Sequence, residues 1–155
     1  MLYKKYCETC IDPIEKAKAL PLLFMRLVLA YGFYGPSMMK LRDLHKAAEA
    51  FASFGIPAPH FSTCLVATVE MLGAISMLIG LGTRIITIPL MIVMLVAIAT
   101  VHWSHGFYAS QGGFEIPLYY LIMLFTLFVY GSGKISFDTL VEDKCMNEDE
   151  DEAKA

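Results

Sequence analysis

The chain has 155 residues, of which 57% are hydrophobic and 17% are charged, with a mean hydropathy of +0.57 and a net charge of −3. Soluble domains of this length carry more charge, so the composition predicts a membrane protein with a single domain. The negative net charge and the lack of a basic patch argue against nucleic-acid binding. Motifs of nucleotide hydrolysis and of standard hydrolases are also absent from the sequence.

Four apolar runs predict four transmembrane helices, each near the ~20 residues that a helix needs to cross a bilayer. None of the runs alternates polar and apolar residues as a barrel strand would, so the predicted fold is an all-α membrane protein with a four-helix bundle. The predicted domain covers residues 20–138, between an N-terminal arm (1–19) and an acidic tail (139–155). The predicted helices are residues 20–39, 61–81, 85–102 and 116–130.

The polar segment between the first two runs predicts a short amphipathic helix on the membrane surface. Its apolar residues recur at helical spacing: Leu41, Leu44, Ala48 and Phe51. Gly55, Pro57 and Pro59 follow and predict its end.

The distribution of cations predicts the orientation, because short cytoplasmic loops are rich in lysine and arginine. One side of the predicted bundle carries Lys4, Lys5, Lys16, Lys18, Arg84, Lys134, Lys144 and Lys154. The other side carries Lys40, Arg42 and Lys46. Both termini are therefore predicted to be cytoplasmic, and the surface helix is predicted to be on the outer side.

Two ionisable residues, Arg26 and Glu70, lie within predicted spans, where a charge facing lipid costs several kcal/mol. Both are therefore expected to face the interior of the bundle. Three interpretations are open: a structural ion pair, an arginine that reaches the headgroups beside a protonated Glu70, and a proton or ligand site.

The connector between the last two runs carries His102, His105 and Glu115, whose imidazole and carboxylate groups can bind metal ions or form hydrogen bonds. Imidazole and carboxylate together suit zinc, copper, iron or nickel, so these residues form a candidate metal site. The same side chains could donate hydrogen bonds to a quinone or a headgroup. Alternatively, the histidines only accompany an interfacial aromatic belt formed by Trp103 and its neighbours.

Cysteines form a second candidate, since Cys7 and Cys10 make a C-x-x-C on the N-terminal arm and Cys145 lies on the tail. In the reducing cytoplasm such thiols favour soft-metal or redox chemistry over structural disulfides. Incidental free thiols are the alternative.

Five passages of the chain, in order, resemble the DoxX family of membrane proteins from about Leu22 to Asp138. They are RLVLAYGFYGPSMMKL, FASFGIPAP, VEMLGAISMLIGLGTR, GFYASQGGFEIPLYYL and GSGKISFD. The passage PLMIVMLVAIATVHWSHGF resembles the branch called HvfX, which is associated with copper-binding peptides of the bufferin type. The resemblance implies a four-helix protein of the bacterial inner membrane.

For function, the resemblance implies an accessory component of a copper or other metal-stress and peptide-maturation system, without catalytic activity of its own. The wider family implies a redox subunit that meets the quinone pool, with Tyr31, Tyr34, Arg26 and Glu70 as candidate ligand-binding residues. A structural membrane scaffold is the third alternative. The expected partners are the bilayer and peptide-maturation or redox proteins, and a homo-oligomer is compatible with the sequence. The expected cofactors are a transition metal such as copper, or a quinone.

Overall fold

The computed structural model describes residues 19–133 and 135–139. These residues form helices and connecting turns, with no β-strand in the described ranges. The five α-helices are α1 (Ala19–Arg42), α2 (Leu44–Ser53), α3 (Pro59–Ile79), α4 (Thr83–Ala97) and α5 (Glu115–Tyr130). The N-terminal arm with Cys7 and Cys10, and the tail with Cys145, lie outside the described residues.

The hydropathy prediction of membrane-spanning helices is confirmed for three long helices. Ala19–Arg42, Pro59–Ile79 and Thr83–His105 are long and apolar enough to cross a bilayer. The third combines α4 with a π turn (Ile98–His102) and a 3₁₀ turn (Trp103–His105). The fourth, α5, is apolar but has only 16 residues, or about 24 Å at 1.5 Å per residue.

The helices pack in two pairs, α1 along α3 and α4 along α5, with α1 also touching α5. Their shared core contains Leu29, Phe33, Met77, Leu90, Leu124 and Leu127, all essentially inaccessible. Large apolar side chains on the opposite helix faces are exposed, including Phe24, Leu72, Ile85 and Phe125. Such an apolar outer surface is suited to contact with lipid, because exposing it to water would be unfavourable.

The predicted amphipathic helix is present as α2, which covers Leu44–Ser53. The Asp43 carboxylate caps it by accepting a hydrogen bond from the Lys46 amide at 3.0 Å. Ala48 faces inward and is buried, and α2 packs against the start of α3. The end of the bundle that contains α2 and the 98–114 connector is called the α2 end below.

At the opposite end, a tight turn joins α3 to α4. Gly80 and Gly82 have φ of +78° and +62°, in the left-handed region that favours glycine. A side chain at Gly80 would also overlap the Arg26 guanidinium. Position 80 therefore requires glycine, because the turn closes directly over the buried Arg26 side chain.

Candidate functional site

Arg26 and Glu70 are both buried, as expected for charges within the spans, with 1% and 4% of their surfaces exposed. The ion pair between them, one of the three interpretations, is wrong: among the described residues, Glu70 pairs with Lys40 and Arg26 binds backbone carbonyls. Arg26 contacts α3 at Met77, seven residues beyond Glu70, or about 10 Å along the helix. The guanidinium turns away from Glu70 toward the unpaired carbonyls that every helix has at its C-terminus.

Arg26 joins three parts of the chain. Its Nε donates to the Met77 carbonyl at 2.9 Å, and Nη2 approaches the Leu78 carbonyl at 3.5 Å, both at the end of α3. Its Nη1 donates to Ser132 O at 3.0 Å and Ile135 O at 2.8 Å, after the end of α5. These contacts make Arg26 a structural link between α1, the end of α3 and the segment after α5, and its candidate role in ligand binding stays a prediction.

Lys40 and Glu70 form the buried ion pair of the bundle, with 2.6 Å between Nζ and Oε2. Lys40 lies in the last turn of α1 and Glu70 near the middle of α3. Their side chains are 19% and 5% exposed, so Lys40 is the partner that retains access to the outside. The predicted first helix ended at residue 39, which assigned Lys40 to the polar surface segment outside the span, and this is why the pair was missed.

The ion pair lies in the wall of a cavity of about 450 Å³ between α3 and α4. The pairs α1–α3 and α4–α5 pack closely, whereas α3 and α4 contact each other less extensively, and the gap opens toward the α2 end. Phe51 of α2 and Ile56 border it. Its walls are mostly aliphatic, with Leu65, Val66, Val69, Ile92, Val93 and Val96 among the lining residues. We call this space the α3–α4 cavity.

The α3–α4 cavity has the chemistry of a site for a small amphipathic molecule. Ligand sites are typically apolar spaces of about 300–1,000 Å³ with a few convergent polar groups. Here the polar groups are an ammonium, which has three donors and uses one on Glu70, and a carboxylate, which only accepts when ionised. The cavity can therefore contact both an acceptor and a donor on one molecule.

Tyr31 and Tyr34, predicted as possible quinone ligands, do not belong to this cavity. They are 85% and 50% exposed on α1, on the surface that faces lipid. Among the tyrosines that the structure describes, the one packed on the core is Tyr120 of α5, which is partly buried and meets the Phe33 ring edge-on with centroids 5.5 Å apart. Nothing in the apolar run PLYYLIM distinguishes Tyr120 from Tyr119, so the burial of Tyr120 could not be predicted from the sequence.

The candidate metal residues lie together on the 98–114 connector and at the start of α5, where they stabilise the loop. His102 Nδ1 lies 2.6 Å from Gly112 O, and His105 Nδ1 lies 3.0 Å from Val101 O. Glu115 Oε2 accepts from the Ala109 amide at 2.9 Å. No group of three His, Cys, Asp or Glu side chains suited to a metal ion occurs in the described part of the chain.

The aromatic residues of the connector also pack on one another. Trp103 stacks on Phe114 at a centroid distance of 5.6 Å, and Phe107 meets the same ring edge-on at 5.5 Å. Trp103 is 67% exposed, which suits a side chain in the headgroup region. The connector is thus a folded cap on the α2 end of the bundle.

Comparison with known proteins gives one family and two distant relatives. The DoxX family model matches residues 21–103, more than half of the chain. An uncharacterized protein of Haemophilus influenzae is 27% identical over 125 residues, covering 78% of this chain and 83% of that protein. A Bacillus subtilis protein named "Putative oxidoreductase CatD" is 24% identical over 128 residues, covering 83% of this chain and 92% of that protein. No solved structure matches the chain.

Proposed function

Because the chain belongs to the DoxX family of integral membrane proteins, we propose that it is a membrane redox component that binds a quinone in the α3–α4 cavity. The observation that carries the proposal is the Lys40–Glu70 pair in the wall of that apolar space. A relative named as an oxidoreductase supports the same class of function. The branch-level role in copper stress is a separate candidate, considered last.

A quinone fits the residues that line the cavity. Its ring and isoprenoid tail are largely apolar, and its redox-active polar atoms are two opposed carbonyl oxygens. Lys40 would donate a hydrogen bond to a carbonyl oxygen, and Glu70 would accept one from the hydroxyl of the reduced form. The aliphatic side chains of α3 and α4 would contact the ring and exclude water.

When bound, the quinone would supply the electron-carrying group, and this chain would position it. Lys40 and Glu70 orient the head of the molecule, and the gap between α3 and α4 admits it from the bilayer. We propose that the electrons come from or go to a partner protein, so the chain acts as an accessory subunit. Its proposed location is the bacterial inner membrane with both termini cytoplasmic, in keeping with the cations at that side.

The test is the quinone content of the purified protein, extracted from mild detergent and quantified by chromatography. We expect retention of quinone by the wild type and loss in Leu65→Trp, which fills the cavity from α3. Leu72→Trp is the matched control, because Leu72 is equally exposed, at 54% against 52%, but lies outside the cavity. Glu70→Gln should retain less quinone than the wild type.

Two results would overturn the proposal. One is a wild-type protein that holds no quinone beyond that in its co-purified lipid, even after addition of ubiquinone or menaquinone. The other is retention that is equal in Leu65→Trp and Leu72→Trp, because binding would then lie elsewhere. Either result would favour a structural scaffold.

A role in copper or other metal stress, beside a peptide-maturation system, is the second candidate. Its supporting observation is that backbone carbonyls orient both His102 and His105 through Nδ1. This arrangement commonly fixes a histidine whose Nε2 binds a metal. Elemental analysis after exposure to copper and zinc tests it. Stoichiometric metal that is lost in His102→Ala and His105→Ala, but kept in the control His45→Ala, would support it.

A further inference from the structure

A second concave surface lies at the corner between α1 and α2, beside the α3–α4 cavity, with which it shares Lys40 and Phe51. It is a groove of about 570 Å³, bordered by the last turns of α1, the Asp43 corner and one face of α2. We call it the α1–α2 groove. We propose that it binds an anionic phospholipid, with the phosphodiester at Arg42 and Lys46 and an acyl chain along the apolar side of the groove.

The charges of the groove favour an anionic ligand. Lys40, Arg42 and Lys46 line it together with one carboxylate, Asp43. Glu70 neutralises Lys40 from the other side. Three cations therefore face two carboxylates, which leaves one net positive charge at the corner.

Arg42 and Lys46 are the two cations that remain for a ligand. Both are exposed, and neither makes an ion pair with a described residue. The Asp43 carboxylate is engaged with the Lys46 amide at the N-terminus of α2. A guanidinium that matches two phosphate oxygens, beside an ammonium, is a suitable arrangement for a phosphodiester.

The rest of the groove is apolar and lies where a lipid would be. Its other side is formed by Pro36 and Met39 on α1, by Phe51 on α2 and by Phe54 just after α2. Met39 is 75% exposed and Phe54 is 41% exposed, although both are large apolar side chains. The amphipathic α2 would hold this groove at the level of the headgroups, since helices of this kind lie in the interface.

A phospholipid matches this pattern because its charge and its acyl chain occupy opposite ends of one molecule. A soluble anion would use the cations and leave the apolar side in water. On the predicted outer side, Arg42 and Lys46 are the only cations in the sequence besides Lys40, which pairs with Glu70.

The test is lipid selectivity of the delipidated protein, measured by native mass spectrometry with equimolar phosphatidylglycerol and phosphatidylcholine of matched chains. We expect a preference for phosphatidylglycerol in the wild type. Arg42→Gln and Lys46→Gln should each reduce this preference about fivefold, the effect of about 1 kcal/mol per cation at an anionic membrane surface. Arg84→Gln is the matched control, since Arg84 is an exposed cation at the opposite end of the bundle.

Equal binding of the two lipids by the wild type would overturn the proposal. So would a loss in Arg84→Gln as large as that in Arg42→Gln, because it would reflect net charge alone. Thermal unfolding of each variant in detergent accompanies the binding measurement. A variant that loses selectivity but keeps the wild-type unfolding temperature supports lipid binding in the α1–α2 groove. We expect no change in unfolding, since the side chains of Arg42 and Lys46 are exposed.

Discussion

The Asp138 carboxylate accepts a hydrogen bond from the backbone amide of Gly82 at 2.6 Å, although 56 residues separate the two. Its second oxygen accepts from the Thr83 amide at 3.2 Å. These amides open α4, where a helix has unpaired donors and a positive dipole end. The Asp138 amide in turn donates to Gly80 O at 3.0 Å. The segment after α5 therefore caps α4 from a distance in sequence.

We expect Asp138→Ala to destabilise the protein by about 1–2 kcal/mol, the usual effect of losing an N-cap side chain. Asp138→Asn keeps one acceptor and should lose less. Thermal unfolding in detergent measures both. Glu49→Ala is the control, because that exposed carboxylate contacts only His45 among the described residues, at 3.3 Å. An Asp138→Ala protein with the same unfolding temperature as Glu49→Ala would contradict a capping role for Asp138.

Arg26 at the same end should be more sensitive than Asp138. We expect Arg26→Met to lose at least ~3 kcal/mol of unfolding free energy, because carbonyl oxygens of Met77, Ser132 and Ile135 lose their donor in a buried site. Arg26→Lys should fall between, since an ammonium cannot reach three carbonyls with the spread of a guanidinium. The measurement is the unfolding temperature together with the yield of monodisperse protein.

The exposed Arg84, also near this end, provides the comparison for Arg26. Arg84→Met should unfold close to the wild type. If Arg26→Met were as stable as Arg84→Met, the buried arginine would not hold the three segments together, and a ligand role would return for Arg26.

The sequence was sufficient to predict that Arg26 and Glu70 are buried, because the cost of a charge in lipid depends on side chains alone. It was insufficient to predict their partners. Arg26 binds backbone carbonyls, which every residue has and which no sequence pattern marks. Glu70 binds Lys40, and Lys40 can reach it because α1 continues through Pro36 to Arg42.

The helices themselves followed from hydropathy, and their ends were less predictable. The contact between Asp138 and Gly82 depends on the chain folding back after α5, a tertiary event without a local signal. The histidines of the connector were predicted from their chemistry as metal ligands. In the structure their Nδ1 atoms contact carbonyls of a compact loop, and whether they also bind metal stays a prediction.

Two glycines of α1 should respond in opposite ways to the same substitution. A methyl group at Gly32 would overlap the ring of Tyr120, whereas one at Gly35 would meet no atom within 4 Å. We expect Gly32→Ala to destabilise by about 1–3 kcal/mol through overpacking of α1 against α5. Gly35→Ala should be neutral or stabilising by up to ~1 kcal/mol, because alanine favours a helix. The two variants control for each other, and equal unfolding temperatures would contradict close packing at Gly32.

The Lys40–Glu70 pair should show strong coupling in a double-mutant cycle. We expect Lys40→Met to lose about 3–5 kcal/mol, because it leaves a buried carboxylate without a partner. Glu70→Gln should lose less, since Lys40 is the more exposed of the two side chains and can turn its ammonium toward the surface. The double variant Lys40→Met with Glu70→Gln should be more stable than Lys40→Met alone. Unfolding temperatures of the four proteins give the coupling, and simple additivity of the two losses would show that the residues do not interact.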